Sequence, residues 1–249
     1  MAAVANVSEI FVSFQGEGVH VGRRQLFVRL GGCPLRCRYC DTPESLKPVA
    51  RCRVLGPDGP YERPNPFDVA TLNAEIDSLR RAAPPLHAIA ITGGEPLAQT
   101  DFLETWLAQS PPPLPLLLET AGIFPQRLAR LLPFVAIVSL DFKCPSNTGE
   151  RARWDEHEGC LAAAVAAGRD VYVKMPVDAD TDPEEVAHGA RLAARAGRPV
   201  PLLLTPLTTP DGSRMLIDAG GLERLHAVAS REHDDVRILP QLHKVLSIP

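Results

Sequence analysis

Apolar runs rich in β-branched residues recur along the chain, and stretches with helical spacing separate them. The runs at 25–30, 87–92, 114–119, 134–140, 170–176, 200–205 and 236–239 predict strands. The intervening segments 67–81, 101–109, 125–132, 155–167, 183–196 and 221–231 predict helices. Asp101 and either Thr181 or Asp182 stand where helix N-caps fall, and Pro183 suits a first turn. Gly168 and Gly197 fit C-terminal stops. Such alternation predicts an α/β fold with parallel strands joined by right-handed crossovers, as an open doubly wound sheet or a barrel. The Pro-rich stretch 43–66 breaks the rhythm and reads as an irregular insertion in one domain spanning 1–249.

Polar residues gather just past the ends of the predicted strands. Cys33, Cys37 and Cys40 follow the first, and Thr92, Gly93, Gly94, Glu95 and Pro96 the second. Glu119 and Thr120 follow the third, Asp141 and Lys143 the fourth, and Thr205 and Pro206 the sixth. A β/α barrel builds its active site at that rim. Composition sets the outer limits. The 249 residues, 45% hydrophobic and 22% charged, can support one sizeable core. No apolar run reaches membrane-spanning length, and the N-terminus has no secretory pattern, which predicts a cytoplasmic protein. A net charge of −4 does not favour nucleic-acid binding.

Three of the six cysteines lie within GCPLRCRYCD, and the others are scattered at Cys52, Cys144 and Cys160. Clustered thiols in a cytosolic chain point to a metal rather than to disulfides. A structural zinc site needs four closed ligands, and Cys52 is the available fourth. The alternative is an iron–sulfur cluster held by three cysteines with one iron open, which the lack of a convincing fourth partner favours.

CPLRCRYCD followed by TGGEP resembles the radical S-adenosylmethionine superfamily. The resemblance implies a partial (β/α) barrel of about six parallel strands, a [4Fe-4S] cluster on Cys33, Cys37 and Cys40, and S-adenosylmethionine on its open iron. It implies cofactor contacts from Tyr39, Asp41, Gly93, Gly94, Glu95, Glu119, Thr205 and Pro206. Within SLDFKCPSN, the choice among Ser139, Asp141 and Lys143 as further contacts stays open.

A narrower likeness joins SEIFVSFQGEGVHVGRRQLFVRLGGCPLRCRYCDT and the ending PQLHKVLSIP to the 7-carboxy-7-deazaguanine synthase family of queuosine and deazapurine biosynthesis. It implies substrate contacts from Gln15, Gly16, Glu17, Arg29, Thr92, Gln241, His243 and Pro249, and a magnesium ion at Thr42. The implied reaction contracts the ring of 6-carboxy-5,6,7,8-tetrahydropterin with loss of ammonia, which makes the enzyme a carbon–nitrogen lyase. The implied partners are a flavodoxin or ferredoxin as electron donor and a second copy of the chain in a homodimer. Another radical enzyme, such as a glycyl-radical activase, shares the three-cysteine loop and is the alternative. A non-enzymatic metal or electron-transfer module would have no need of TGGEP or QGEG.

Overall fold

A computed structural model describes residues 3–249 of the chain. Its ten strands are β1 (Val7–Phe14), β2 (Arg24–Leu30), β3 (Arg51–Gly56), β4 (Gly59–Pro64), β5 (Ala88–Gly93), β6 (Leu116–Thr120), β7 (Ile137–Asp141), β8 (Asp170–Val177), β9 (Leu202–Pro206) and β10 (Val236–Ile238). The helices are α1 (Val69–Ala82), α2 (Thr100–Gln109), α3 (Pro125–Leu131), α4 (Pro145–Thr148), α5 (Trp154–Ala166), α6 (Pro183–Ala194), α7 (Ala219–Ser230) and α8 (Leu242–Leu246). One sheet runs in the order β10-β9-β8-β7-β6-β5-β2-β1-β3-β4. From β2 to β10 every neighbouring pair is parallel, so seven parallel strands form the partial barrel, in keeping with the expected count of about six. The shortest is the three-residue β10 at an edge.

Side-chain alternation divides the apolar residues between two faces. On β5, Ile89 and Ile91 pack outward with Leu103 and Trp106 of α2, whereas Ala88 and Ala90 point into the barrel. Leu117 and Leu203 also face inward, between outward-facing neighbours. The stacked rings of Phe11 and Phe27, with centroids 4.9 Å apart, join them. Alanine in this inner layer leaves room that Leu or Ile would fill.

Helix ends follow their local chemistry. Asp182 caps α6 by accepting from the Glu184 N–H at 2.9 Å, and Pro183 opens the helix. Thr181 bonds instead to Asp178. Asp101 sits one residue inside α2, which begins at Thr100. The expected irregular insertion at 43–66 is not irregular: it holds a short 3-10 turn and the antiparallel hairpin β3–β4. Cys52 and Val54 are fully buried between the more exposed Arg51 and Arg53, the two-residue alternation of a strand. The hairpin is fastened to α1 by Glu75, which accepts from Arg63 Nε at 2.6 Å and from the Tyr61 hydroxyl. Its prolines, Pro60 and Pro64, lie on the edge strand β4, where a missing N–H costs no ladder bond to a further strand.

Candidate active site

The C-terminal ends of the parallel strands surround a cavity of about 700 Å³. Cys33, Cys37 and Cys40 line it from the loop after β2, half-buried and unbridged. Burial pushes all three thiols up, Cys33 to about 11, so bound metal must displace their protons. Cys52, Cys144 and Cys160 are fully buried in the core and do not line the cavity, so Cys52 is not a fourth ligand. Three thiols with no fourth cysteine facing them fit a cluster that keeps one iron open.

The glycine pair shapes this loop by close approach. Gly93 has φ +127°, and a Cβ there would lie 2.2 Å from the Leu30 carbonyl oxygen. A Cβ on Gly94 would lie 2.3 Å from the Gly32 carbonyl oxygen. The N–H groups of Gly94 and Glu95 donate to Leu30 and Gly32 at 2.9 and 3.0 Å, which clamps the end of β5 onto the start of the cysteine loop. Arg38 donates to the carbonyls of Ser146 and Asn147, and Arg36 to those of Cys33 and Leu35, completing the bracing.

Most of the residues singled out from the sequence converge here. Gln15, Gly16, Glu17, Arg29, Tyr39, Asp41, Thr42, Thr92, Gly93, Gly94, Glu119, Asp141, Lys143, Thr205, Gln241, His243 and Pro249 all line the cavity. Glu95, Ser139 and Pro206 do not. Glu95 turns inward, where its carboxylate accepts from Thr120 Oγ1 at 2.7 Å and the N–H groups of Ala121 and Leu97 at 2.8 and 2.9 Å. It is a brace between strand ends rather than a cofactor contact, and burial pushes its carboxyl up. Ser139 and Pro206 are buried within the sheet. Of the three candidates after the fourth predicted strand, Asp141 and Lys143 therefore reach the cavity. They form an ion pair at 2.9 Å, and the Lys143 ammonium lies 5.3 Å from the centre of the Tyr39 ring. Burial works against that ammonium's charge, but Asp141, Tyr39 and Cys37 outweigh it and hold Lys143 well above the usual lysine value.

Four cavity-lining side chains carry buried polar atoms with no protein partner: Tyr39 OH, Asp141 Oδ1, Asn147 Oδ1 and Thr205 Oγ1. Buried groups of this kind demand a partner, and a ligand bearing amino and hydroxyl groups would supply it. This set of two acceptor oxygens and two hydroxyls thus fits S-adenosylmethionine beside the cysteine loop.

On the other side, residues from the two ends of the chain meet. Gln15 donates to Glu119 at 2.9 Å and to Gln25 at 3.2 Å, and Thr92 donates to the second Glu119 oxygen at 2.8 Å. Glu17 accepts from Lys174 and, at 2.9 Å, from Gln241. Burial tends to raise the Glu17 carboxyl, but the Lys174 and His243 charges and these hydrogen bonds bring it down to about 2. The glycines of QGEG permit the packing: a Cβ on Gly16 would strike the His243 ring, and one on Gly18 the Tyr172 ring. Leu242 N–H donates to the Gly16 carbonyl at 2.8 Å, and Ser13 Oγ to the Pro249 oxygen at 2.8 Å. Arg29 pairs with Glu9 at 3.4 Å, leaving its guanidinium partly committed.

Sequence reading missed Lys174, Asn147 and His157. Lys174 sits in the run DVYVKMPV, where a strand lysine gives no signal until its partner is known. His157 is buried and neutral, its value lowered to about 4 chiefly by burial. It accepts from the Lys143 N–H at 3.1 Å and bonds to the Gly122 carbonyl at 3.2 Å, holding the Lys143 backbone in place.

The barrel and its three-thiol loop define a radical S-adenosylmethionine enzyme, and residues 27–207 match the Radical SAM superfamily. The chain belongs to the 7-carboxy-7-deazaguanine synthase family within it. It is 35% identical over 246 residues to the 7-carboxy-7-deazaguanine synthase of Geobacter sulfurreducens, covering 97% of each chain. It is 31% identical over 263 residues to that of Methanothermobacter thermautotrophicus, covering 98% of each. The crystal structure of QueE from Escherichia coli shares the fold with TM-score 0.56 and 20% identity, over 96% of this chain and 95% of that one. A radical SAM methyltransferase from Sphaerobacter thermophilus does so with TM-score 0.61 and 17% identity, over 88% of this chain and 66% of that one. Among the described residues no helix is long and apolar enough to cross a membrane.

Proposed function

We infer that this chain is a 7-carboxy-7-deazaguanine synthase, converting 6-carboxy-5,6,7,8-tetrahydropterin to 7-carboxy-7-deazaguanine with loss of ammonia, a carbon–nitrogen lyase acting in queuosine or deazapurine biosynthesis. The observation that carries this reading is the meeting of Gln15–Glu17 with Gln241 and His243 over the same cavity that the three cysteines line. A radical enzyme acting on another substrate would need the cysteine side of the cavity but not this second wall.

Cys33, Cys37 and Cys40 would hold the [4Fe-4S] cluster, with S-adenosylmethionine taken up by Tyr39, Asp141, Asn147, Thr205 and the backbone of Gly93 and Gly94. When bound and reduced by an external donor of the flavodoxin or ferredoxin kind, cluster and cofactor would supply carbon-centred radical chemistry for hydrogen abstraction. The protein's own work is orientation and exclusion of water. Glu17, ionised throughout the neutral range, accepts from ring N–H donors, and Arg29 offers a forked cation to a carboxylate. The buried lining of Phe11 and Phe27 shields the ring from water.

Magnesium belongs to the same reading. Glu17, Asp41 and His243 can each bring a ligand atom within 4.8 Å of the others. Glu17 already faces the buried Lys174 ammonium, whose charge opposes a second cation there, so Asp41 and the adjacent Thr42 hydroxyl are the better protein ligands. Both belong to the oxygen chemistry that a hard cation prefers, with substrate oxygens and water completing the shell. A homodimer is part of the proposal as well.

The deciding assay is anaerobic, on iron-reconstituted protein with S-adenosylmethionine, reductant, magnesium and 6-carboxytetrahydropterin. Mass spectrometry should record the loss of ammonia and the appearance of 7-carboxy-7-deazaguanine. Formation of 5′-deoxyadenosine without that product would leave the radical machinery standing and refute the substrate.

A further inference from the structure

The cavity contains a cation that no motif announces. Lys174 lies on β8, whose alternation turns Tyr172, Lys174 and Pro176 inward: Tyr172 into the inner apolar layer, the other two onto the cavity wall. Its side chain is 7% exposed, and its ammonium donates to Glu17 Oε2. Burial opposes the charge, yet Glu17, Asp141 and Glu119 outweigh it and hold Lys174 well above the usual lysine value. The pair therefore stands as ammonium beside carboxylate at neutral pH.

Neither member is saturated. An ammonium has three donors, and the bond to Glu17 uses one. A carboxylate has about four acceptor sites, and Lys174 and Gln241 use two. A ligand that completes both must present acceptor and donor side by side on one edge. A second carboxylate would satisfy Lys174 but would be pressed against the Glu17 anion. A neutral ring amide avoids that conflict, because its carbonyl faces the ammonium while its N–H and a neighbouring exocyclic amine face the carboxylate.

We propose that Lys174 determines specificity by donating to the ring carbonyl of the substrate, so that Lys174 and Glu17 together read the amide edge of a 2-amino-oxo ring. This rests on the function inferred above and adds the residue that selects oxo over amino at the carbon beside the ring N–H.

The test uses reconstituted protein with S-adenosylmethionine and no reductant, so that binding is measured without turnover. Two probes are titrated: 7-carboxy-7-deazaguanine and its 2,6-diamino counterpart, in which the carbonyl becomes an amine and the ring N–H a bare nitrogen. The parent should prefer the oxo compound by about tenfold or more, since the amino compound leaves a buried ammonium facing a donor. Lys174→Met should weaken the oxo compound by about tenfold to a hundredfold and reduce the ratio several-fold, leaving the share that Glu17 contributes through the ring N–H. Lys174→Gln, which keeps a donor, should retain part of the preference. Equal weakening of both probes by Lys174→Met, with the ratio intact, would mean that Lys174 merely supports the wall and would overturn the proposal. Parent protein that binds both probes equally would overturn it too, whether or not the variants fold. A parent that binds neither probe would instead overturn the function inferred above, and the specificity role with it.

Discussion

Glu95 shows how a residue can sit inside a ligand-binding sequence and still serve the scaffold. Its two oxygens satisfy a buried hydroxyl and two buried N–H groups. Glu95→Ala would strand those donors, at about 1–3 kcal/mol for each that finds no water. Urea unfolding of Glu95→Ala should therefore show a loss of several kcal/mol, and a midpoint equal to the parent's would exclude the bracing role. Glu17 behaves differently because its carboxyl is held down at about 2, against an ordinary value of 4.5. A depressed carboxyl contributes stability that is complete above its unfolded value and lost as pH falls through the folded one. Between pH 4.5 and about 2 the parent should lose roughly 3 kcal/mol through this group. Glu17→Gln should lack that component, so its urea midpoint should fall less steeply over the same range. Parallel curves would show that Glu17 is not held ionised by Lys174.

At the scale of elements, the ends of β2 and β5 decide whether the cysteine loop can form. A Cβ on Gly94 meets backbone at Gly32, which cannot swing aside as a side chain can. Gly94→Ala should keep the far-ultraviolet circular dichroism of the sheet but bind clearly less iron per chain after reconstitution. Gly22→Ala is the control: its φ of +80° is also left-handed, but nothing lies within 4 Å, so about 1 kcal/mol of strain and normal iron content are expected. Equal iron in the two variants would remove the close approach as the reason for the glycine pair. The hairpin β3–β4 makes a second case. Because Val54 is fully buried in the main core, Val54→Ala should cost about 2 kcal/mol in urea, whereas a disposable insertion would tolerate it.

For the molecule as a whole, the cavity is closed by segments more than 220 residues apart in sequence. The chain beyond 240 forms α8, which buries no side chain of its own, and is held at Gly16, Glu17 and Ser13. Removing residues 242–249, which keeps the buried Gln241, should change the unfolding free energy by no more than about 1 kcal/mol and leave iron content unchanged, since surface losses of this kind are small. Affinity for 7-carboxy-7-deazaguanine should drop by more than tenfold. Undiminished affinity would show that the terminal segment only covers the cavity.

Much of this could be read before folding, because the signals were local. The two-residue and 3.6-residue periods, the cysteine spacing and the Gly-Gly pair all act within a few residues of their own backbone. They located the seven barrel strands, six of the helices and the three thiols, and the likeness of QGEG and PQLHKV to known relatives brought both termini to the site. The alternation in RCRV was legible too, but the surrounding prolines and glycines obscured it. What the linear chain could not express is which polar group faces which. Glu95 and Glu119 look alike in sequence, yet one is consumed by N–H groups of the next strand end and the other opens on the cavity. Lys174 gains its meaning from Glu17, 157 residues away. Periodicity assigns a side chain to a face, since that depends on its own backbone. Its charge state and partners depend on what tertiary packing brings opposite, and in this protein only the closed barrel decided them.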